Sequence, residues 1–398
     1  MIKVKNVVLV LLFSATCAVA QETDSIFDPV TGKLVAVTQK GDNKDELKVW
    51  FYYPQGGLME TGIQRDSLRT GKWVRYDRAG NVQDVIHYTI SDHVGGIVKS
   101  LKDGDFVSYF PNGNIREKGM FKDDAKNGQW ETFFPNDSPR EKGAFTNGQQ
   151  SGKWSFYYRS GELREEGEIE NNSKVGTWTQ YHKNGKKWGE GAYKNGQQNG
   201  EWTWWHFNGS IDVKETYVDG QRSGAWYSYH DNGALKMEGT YENGRRNGEW
   251  KSYAKDGTLV GKGNFVNDKK EGDWSERELL NVSQQLYGPV MIGQYVQDKR
   301  EGEWKSLDTN GKIAVIMTFN GGILNGSYRE FYSNGQPKIS YTYNMAKLNS
   351  VEGCWSVDGK SLECGTLKNG TGTLIMYDDK GNVLKNRTFA NGVELLNE

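Results

Sequence analysis

Apolar and polar positions along this chain recur with a period of 24 residues. With Gly104 as position 1, a glycine returns at Gly128, Gly152, Gly176, Gly200, Gly224, Gly248 and Gly272, then after a longer step at Gly302 and Gly326. The Gly248 unit places Trp250 at position 3, Tyr253 at 6, Gly257 at 10, Leu259 at 12, Gly263 at 16 and Phe265 at 18. The Gly104 unit repeats this with Phe106, Tyr109, Gly113, Ile115, Gly119 and Phe121. Each unit therefore holds two short aromatic or aliphatic segments, with one turn between them and another after them. A fixed period of this length is the signature of a repeat architecture.

Asn-Gly marks both turns, at positions 9–10 (Asn112-Gly113, Asn184-Gly185, Asn232-Gly233) and 20–21 (Asn147-Gly148, Asn195-Gly196, Asn243-Gly244). Both residues accept positive φ, so type I′ turns are predicted at both places and each unit reads as a β-hairpin. A lone hairpin is marginal and has to bury its rings against its neighbours. The expected fold is all-β: an elongated single-layer array of hairpins in one meander. Position 3 (Trp130, Trp154, Trp178, Trp202, Trp226, Trp250) is assigned to the inter-repeat core. Positions 3 and 6 point to opposite faces of a flat strand unless a bulge near position 5 intervenes.

The frame divides the chain as follows. Residues 1–20 read as a secretory leader, 21–47 as an N-terminal cap and 48–103 as degenerate repeats, with about nine extra residues within 86–101. Residues 104–274 are the regular array, 275–301 an inserted loop and return strand, and 302–398 the C-terminal repeats and cap.

The units GKWSFYYRSGELREEGEI, GTWTQYHKNGKKWGEGAY and GAWYSYHDNGALKMEGTY resemble the MORN repeat in its bacterial variant form. The resemblance runs from about residue 45 to the end. It implies an elongated hairpin array working through protein or membrane contacts. Proteins with this variant are often labelled antitoxins, a role that sits badly with a leader sequence.

Composition agrees with strands and tight turns: 50 Gly, 14 Trp and 21 Tyr against only 7 Pro. The leader reading rests on Lys3 and Lys5, the apolar run Val7–Phe13 and the small-x-small site Ala18-Val19-Ala20. It makes the protein exported, periplasmic or secreted; lipidation at Cys17 is the alternative. Cleavage moves the net charge from −1 to about −3. Charges alternate in sign, so no phosphate-neutralising patch forms and nucleic acid is not an expected partner. Cys354 and Cys364 could close a local disulfide worth roughly 3 kcal/mol.

No nucleophile elbow, P-loop or H-E-x-x-H motif is present, and the chain reads as non-enzymatic with no cofactor or metal. His182, His206 and His230 share position 7, but strands two apart are roughly 10 Å distant, too far to share an ion. Phe110, Phe134 and Tyr158 hold that position in earlier repeats, while Asp77, Ala254 and Asp308 hold it elsewhere. A core position should not accept Asp. The row is therefore expected to be an exposed stripe that binds the ligand. Two functions follow: a scaffold or adaptor for a protein partner, with at most peripheral membrane contact, or a glycan-binding module that stacks sugars on the stripe.

Overall fold

The structure is a computed structural model describing residues 3–6, 22–94, 97–281 and 286–395. The leader's apolar run, its cleavage site and Cys17 lie outside these residues; the backbone of Lys3–Asn6 pairs with the strand Thr23–Phe27. Among the described residues there is no helix, and antiparallel strands follow one another in chain order. Two compact units divide the chain, residues 1–197 and 198–398. Each is a meander of hairpins on the 24-residue frame, and the expected 21–47 cap itself forms strands that lead into the first.

The two turns of each hairpin differ, which corrects one expectation. At positions 20–21 both residues have positive φ, as in Asn147 (50°) and Gly148 (80°), the type I′ geometry. At positions 7–11 only the glycine does. Phe110 accepts from Gly113 N–H at 2.9 Å and donates to the Asn114 carbonyl at 2.8 Å. This is a three-residue loop closed by a left-handed glycine bulge, with Gly113 at φ 87°. The position-9 asparagine keeps a negative φ, and its side chain is free for another task.

The anchor glycine has a different role. Asn127 pairs with Met120 and Glu131 with Lys118, so Gly128, Gln129 and Trp130 together oppose the single Gly119. The register also shifts between positions 5 and 6, where Thr132 pairs with Glu141 and Phe133 with Pro139, but there the extra residue is on the partner strand. The bulge within the tryptophan strand is at positions 1–3, and Gly128 takes φ 73° to make it. It lays Trp130 flat over the backbone of Gly119. A Cβ built on Gly119 would lie 2.3 Å from the indole. The indole N–H then donates to the Met120 carbonyl at 3.0 Å. Trp178, Trp250, Trp274 and Trp304 repeat this bond to the carbonyl ten residues earlier.

This tuck explains how a single layer has a core. Trp130, Trp154, Trp178, Trp202 and Trp250 are buried to within a few per cent. Position-18 rings pack edge-on between successive indoles, as Phe145 does between Trp130 and Trp154.

The two insertions are strand extensions. Val82–Val94 pairs with Ile97–Tyr109, and Lys269–Asn281 pairs with Leu286–Val296. The expected loop at 275–301 is therefore a long hairpin, whose residues 282–285 lie outside the described set.

Candidate interaction surface

The strands present two unlike faces, and side-chain partners tell them apart. On one lie the indoles, several of them covered by a cation from position 23; that position is Gln150 before Trp154 and Gln198 before Trp202. Lys126 stands 3.8 Å from the Trp130 ring centre and Lys174 3.9 Å from that of Trp178. Glutamates at position 14 hold these lysines, Glu117 at 2.9 Å and Glu165 at 2.7 Å. The other face is polar. Tyr181 donates to Glu166 at 3.0 Å and Tyr253 to Glu238 at 2.8 Å, so position 6 lies opposite position 3.

Cross-strand ion pairs run along the polar face. Lys118 and Lys142 flank Glu131 at 3.1 and 3.5 Å, and Lys153 meets Glu166 at 2.8 Å. Burial alone would raise the Glu131 carboxyl, but its two lysines more than offset this and hold it below its ordinary value. In the second unit Glu249 bridges Lys251 and Lys262, both at 3.1 Å. Here the face holds an open groove of ≈ 700 Å³ spanning several strands, with Glu249, Lys262, Asp273, Glu301, Glu303 and Lys305 along it. Its charge is uneven. Asp273 takes an amide from Gln294 at 3.2 Å, and Glu301 takes the Gly321 N–H at 2.7 Å. Both carboxylates thus answer to neutral donors.

The position-7 row is not the exposed stripe expected from the sequence. Phe110, Phe134, Tyr158, His182, His206 and His230 are all half-buried, and Ala254 and Tyr332 are buried. The Tyr158 hydroxyl donates to the Tyr181 carbonyl at 2.8 Å. His206 and His230 meet the carbonyls of Tyr229 and Tyr253 through Nε2 at 3.0 and 2.9 Å, an acceptor that requires the Nε2–H tautomer. Tyr53 and Tyr332 do the same one repeat on. The row is a staple between consecutive turns. Asp is tolerated because it solves another problem: Asp77 and Asp308 cap their own turns, each accepting two backbone N–H groups. The inference from Asp to exposure fails for that reason.

Asparagines at position 9 build a second ladder. Asn112, Asn136, Asn208, Asn232 and Asn334 each donate to a carbonyl 23 residues on, at 2.9–3.2 Å. Sequence reasoning read these residues only as turn formers.

Trp226 departs from the core assignment, being half-buried. Position 16 of the preceding repeat is Glu215 where glycine is usual, and its side chain blocks the tuck. Glu215 is instead buried itself, 4% exposed. It accepts from Trp204 Nε1 at 2.7 Å, Tyr217 at 2.9 Å, Arg222 at 2.6 Å and Trp226 Nε1 at 3.2 Å. The break in the glycine column was a visible signal of this cage.

Cys354 is buried and Cys364 partly so, and both are free thiols packed in one cluster. Burial pushes both thiols up, with Cys364 beside Cys354, so neither forms a thiolate readily. Trp355, in the C-terminal repeats, falls at position 6, since Ser356 and Gly359 close the turn that follows it.

A bulged glycine, an indole tucked over a second glycine and a glycine-closed turn, iterated every 24 residues, define a β-hairpin repeat protein. Eight segments match the family described as MORN repeat variant: residues 102–123, 150–171, 174–195, 198–219, 222–243, 246–267, 300–320 and 324–345. The chain is a MORN-repeat protein. The intervening copy from Gly128 has Asn136-Asp137-Ser138 at its turn, where Asp137 takes φ 67° in place of glycine. No curated protein matches the chain. Among solved structures it is similar to a TcdB2–TccC3 complex lacking its hypervariable C-terminal region (13% identity, 93% of this chain and 20% of that one, TM-score 0.15). It is also similar to a Photorhabdus luminescens Tc holotoxin pore (10% identity, 94% and 22%, TM-score 0.18). The chain thus spans about a fifth of those chains' length.

Proposed function

We propose that this protein is a non-enzymatic, exported repeat scaffold that binds a protein partner on its polar face. One observation supports this above others: the groove of ≈ 700 Å³ in the second unit, whose Asp273 and Glu301, among the described residues, accept from the neutral donors Gln294 and Gly321. Its walls are charged side chains on paired strands, so the surface is shaped before binding and little ordering cost is added. The excess of acid favours a partner segment carrying lysine or arginine, guided in by complementary charge. Glycan stacking loses its support, because the position-7 row is half-buried and Tyr158, His206 and His230 direct their polar edges to the next repeat.

The test places a photo-crosslinking residue at Ser275 in the groove and, separately, at Met120 in the first unit, in the native host. A protein adduct from Ser275 that is lost in Asp273→Lys/Glu301→Lys, with melting temperature unchanged, supports the reading. Adducts from Met120 only, or a charge reversal without effect, defeat it.

A further inference from the structure

The main sheet of the second unit ends weakly. Its last strand, Ser361–Leu362, meets Lys347–Trp355 only where Cys354 faces Leu362 and Trp355 faces Ser361. Residues 363–371 then form a seam to a separate three-stranded sheet, Gly372–Tyr377, Val383–Ala390 and Val393–Leu395. On the array side, Val351 N–H donates to the Leu367 carbonyl at 3.2 Å and Gly370 N–H to that of Asn349 at 2.6 Å. On the other, Ile375 N–H donates to the Cys364 carbonyl at 3.0 Å and Leu367 N–H to that of Thr373 at 2.9 Å. Single bonds of this kind open locally more easily than a full ladder.

Two thiols stand where the seam begins. Cys354 is 1% exposed, in one cluster with Leu367, Leu374 and Phe389, and the half-buried Cys364 packs against that cluster. Cys364 follows two residues after Leu362, the ladder partner of Cys354, which sets both side chains on one face. Its Sγ turns back toward the Leu362 carbonyl at 3.7 Å, and the two thiols are in hydrogen-bond contact. Since Cys364 lies beyond the paired residues, its backbone is free to make the small move that disulfide geometry requires.

We infer that Cys354 and Cys364 close a disulfide in the exported protein, a covalent clasp that fixes the start of the seam to the main sheet. The oxidant is an external disulfide, such as thiol–disulfide oxidoreductases of oxidising compartments carry. The Cys364 thiolate attacks one sulfur of that disulfide, so a mixed disulfide forms and one thiol leaves. Cys354 then loses its proton and attacks the Cys364 sulfur, which forms the internal bond and releases the second thiol. Two electrons and two protons pass from the pair to the external disulfide, which is reduced. Burial keeps Cys354 from the external disulfide and so sets the order of attack. The inference rests on the exported half of the function proposed above, not on its partner groove.

The experiment uses the full chain with Cys17→Ser, which leaves these two thiols, and oxidised glutathione as probe. Peptide mass spectrometry should find the Cys354 and Cys364 peptides joined, without glutathione. In Cys354→Ala the glutathione should stay on Cys364, and in Cys364→Ala the Cys354 thiol should remain free. Amides of Val351, Leu367, Gly370 and Ile375 should exchange about tenfold more slowly in the oxidised chain than in the reduced one. Stable glutathione on Cys364 of the otherwise unaltered chain, thiols that stay reduced, a bond between two chains, or closure without slower exchange overturns the inference. A bond that closes with glutathione but is absent from protein alkylated in its host overturns it through the exported premise, and leaves the geometry standing. Should Cys354→Ala not fold, the chain with both cysteines decides alone.

Discussion

At the scale of single residues, two classes of glycine do different work. Gly161 closes a turn at φ 102°, with only Ser138 Cβ near, at 3.9 Å. Gly143 has an ordinary backbone, but a Cβ there would sit 2.2 Å from the Trp154 indole. Gly161→Ala should therefore cost about 1–2 kcal/mol of backbone strain and leave tryptophan emission unchanged. Gly143→Ala should cost about 3 kcal/mol or more and shift the emission as the indole is expelled. Denaturant titration read by fluorescence separates the two. Glu215 tests the same column in reverse. Glu215→Ala strips four donors of their acceptor and should cost roughly 3–5 kcal/mol. Glu215→Gly should cost less, because Trp226 can then tuck and its N–H can reach the Thr216 carbonyl. Equal losses from both would mean the cage alone, not the blocked tuck, sets the position of Trp226. Glu276 adds a pH dependence. Burial pushes its carboxyl up, but bonds from Lys270, Arg300 and Tyr295 more than offset this and hold it below its ordinary value. A depressed folded-state pKa gives stability that is complete above the unfolded value, about 4.3, and is lost as pH falls through the folded one. Glu276→Gln should thus be less stable at pH 7 and show a flatter acid limb in pH-dependent melting.

At the scale of the hairpin, the period, the strands and most of the tryptophan core were legible because side-chain size and glycine placement carry them directly. The identity of position 7 was legible but its direction was not. A ring that turns its polar edge onto a carbonyl 23 residues away leaves no local trace, and an Asp capping its own turn mimics the sequence of an exposed site. The bulge at positions 1–3 was equally hidden, since a glycine before a tryptophan fits a turn as well as a bulge. The staple predicts a measurable loss. Tyr158→Phe keeps the ring and deletes one hydrogen bond, so it should cost about 0.5–1.5 kcal/mol. Replacing Tyr158, His182 and His206 together by Ser should lower the melting temperature clearly, because three half-buried rings go as well. An unchanged melting temperature in that triple variant would return the row to the surface.

At the largest scale, strands among the described residues pair with those next to them along the chain, and the Trp250 and Trp274 indoles touch rings of their own and adjacent repeats. Stability in such a chain is a sum of repeat terms and nearest-neighbour terms, with no single centre whose loss unfolds everything at once. A core deletion should therefore act locally. Trp274→Ala removes an indole whose N–H holds the Asn264 carbonyl at 3.1 Å, and whose ring packs against Phe265 and Tyr295. About 3–5 kcal/mol should be lost at that point. In native-state hydrogen exchange, amides from about residue 248 to residue 320 should lose protection, because those strands border the vacancy directly. Amides of residues 104–176 should exchange as in the parent protein, since the strand and ring partners of Trp274 are Gly263, Gly293, Phe265 and Tyr295. Uniform loss of protection across both stretches would show that the chain unfolds as one cooperative body, and the nearest-neighbour description would have to be abandoned.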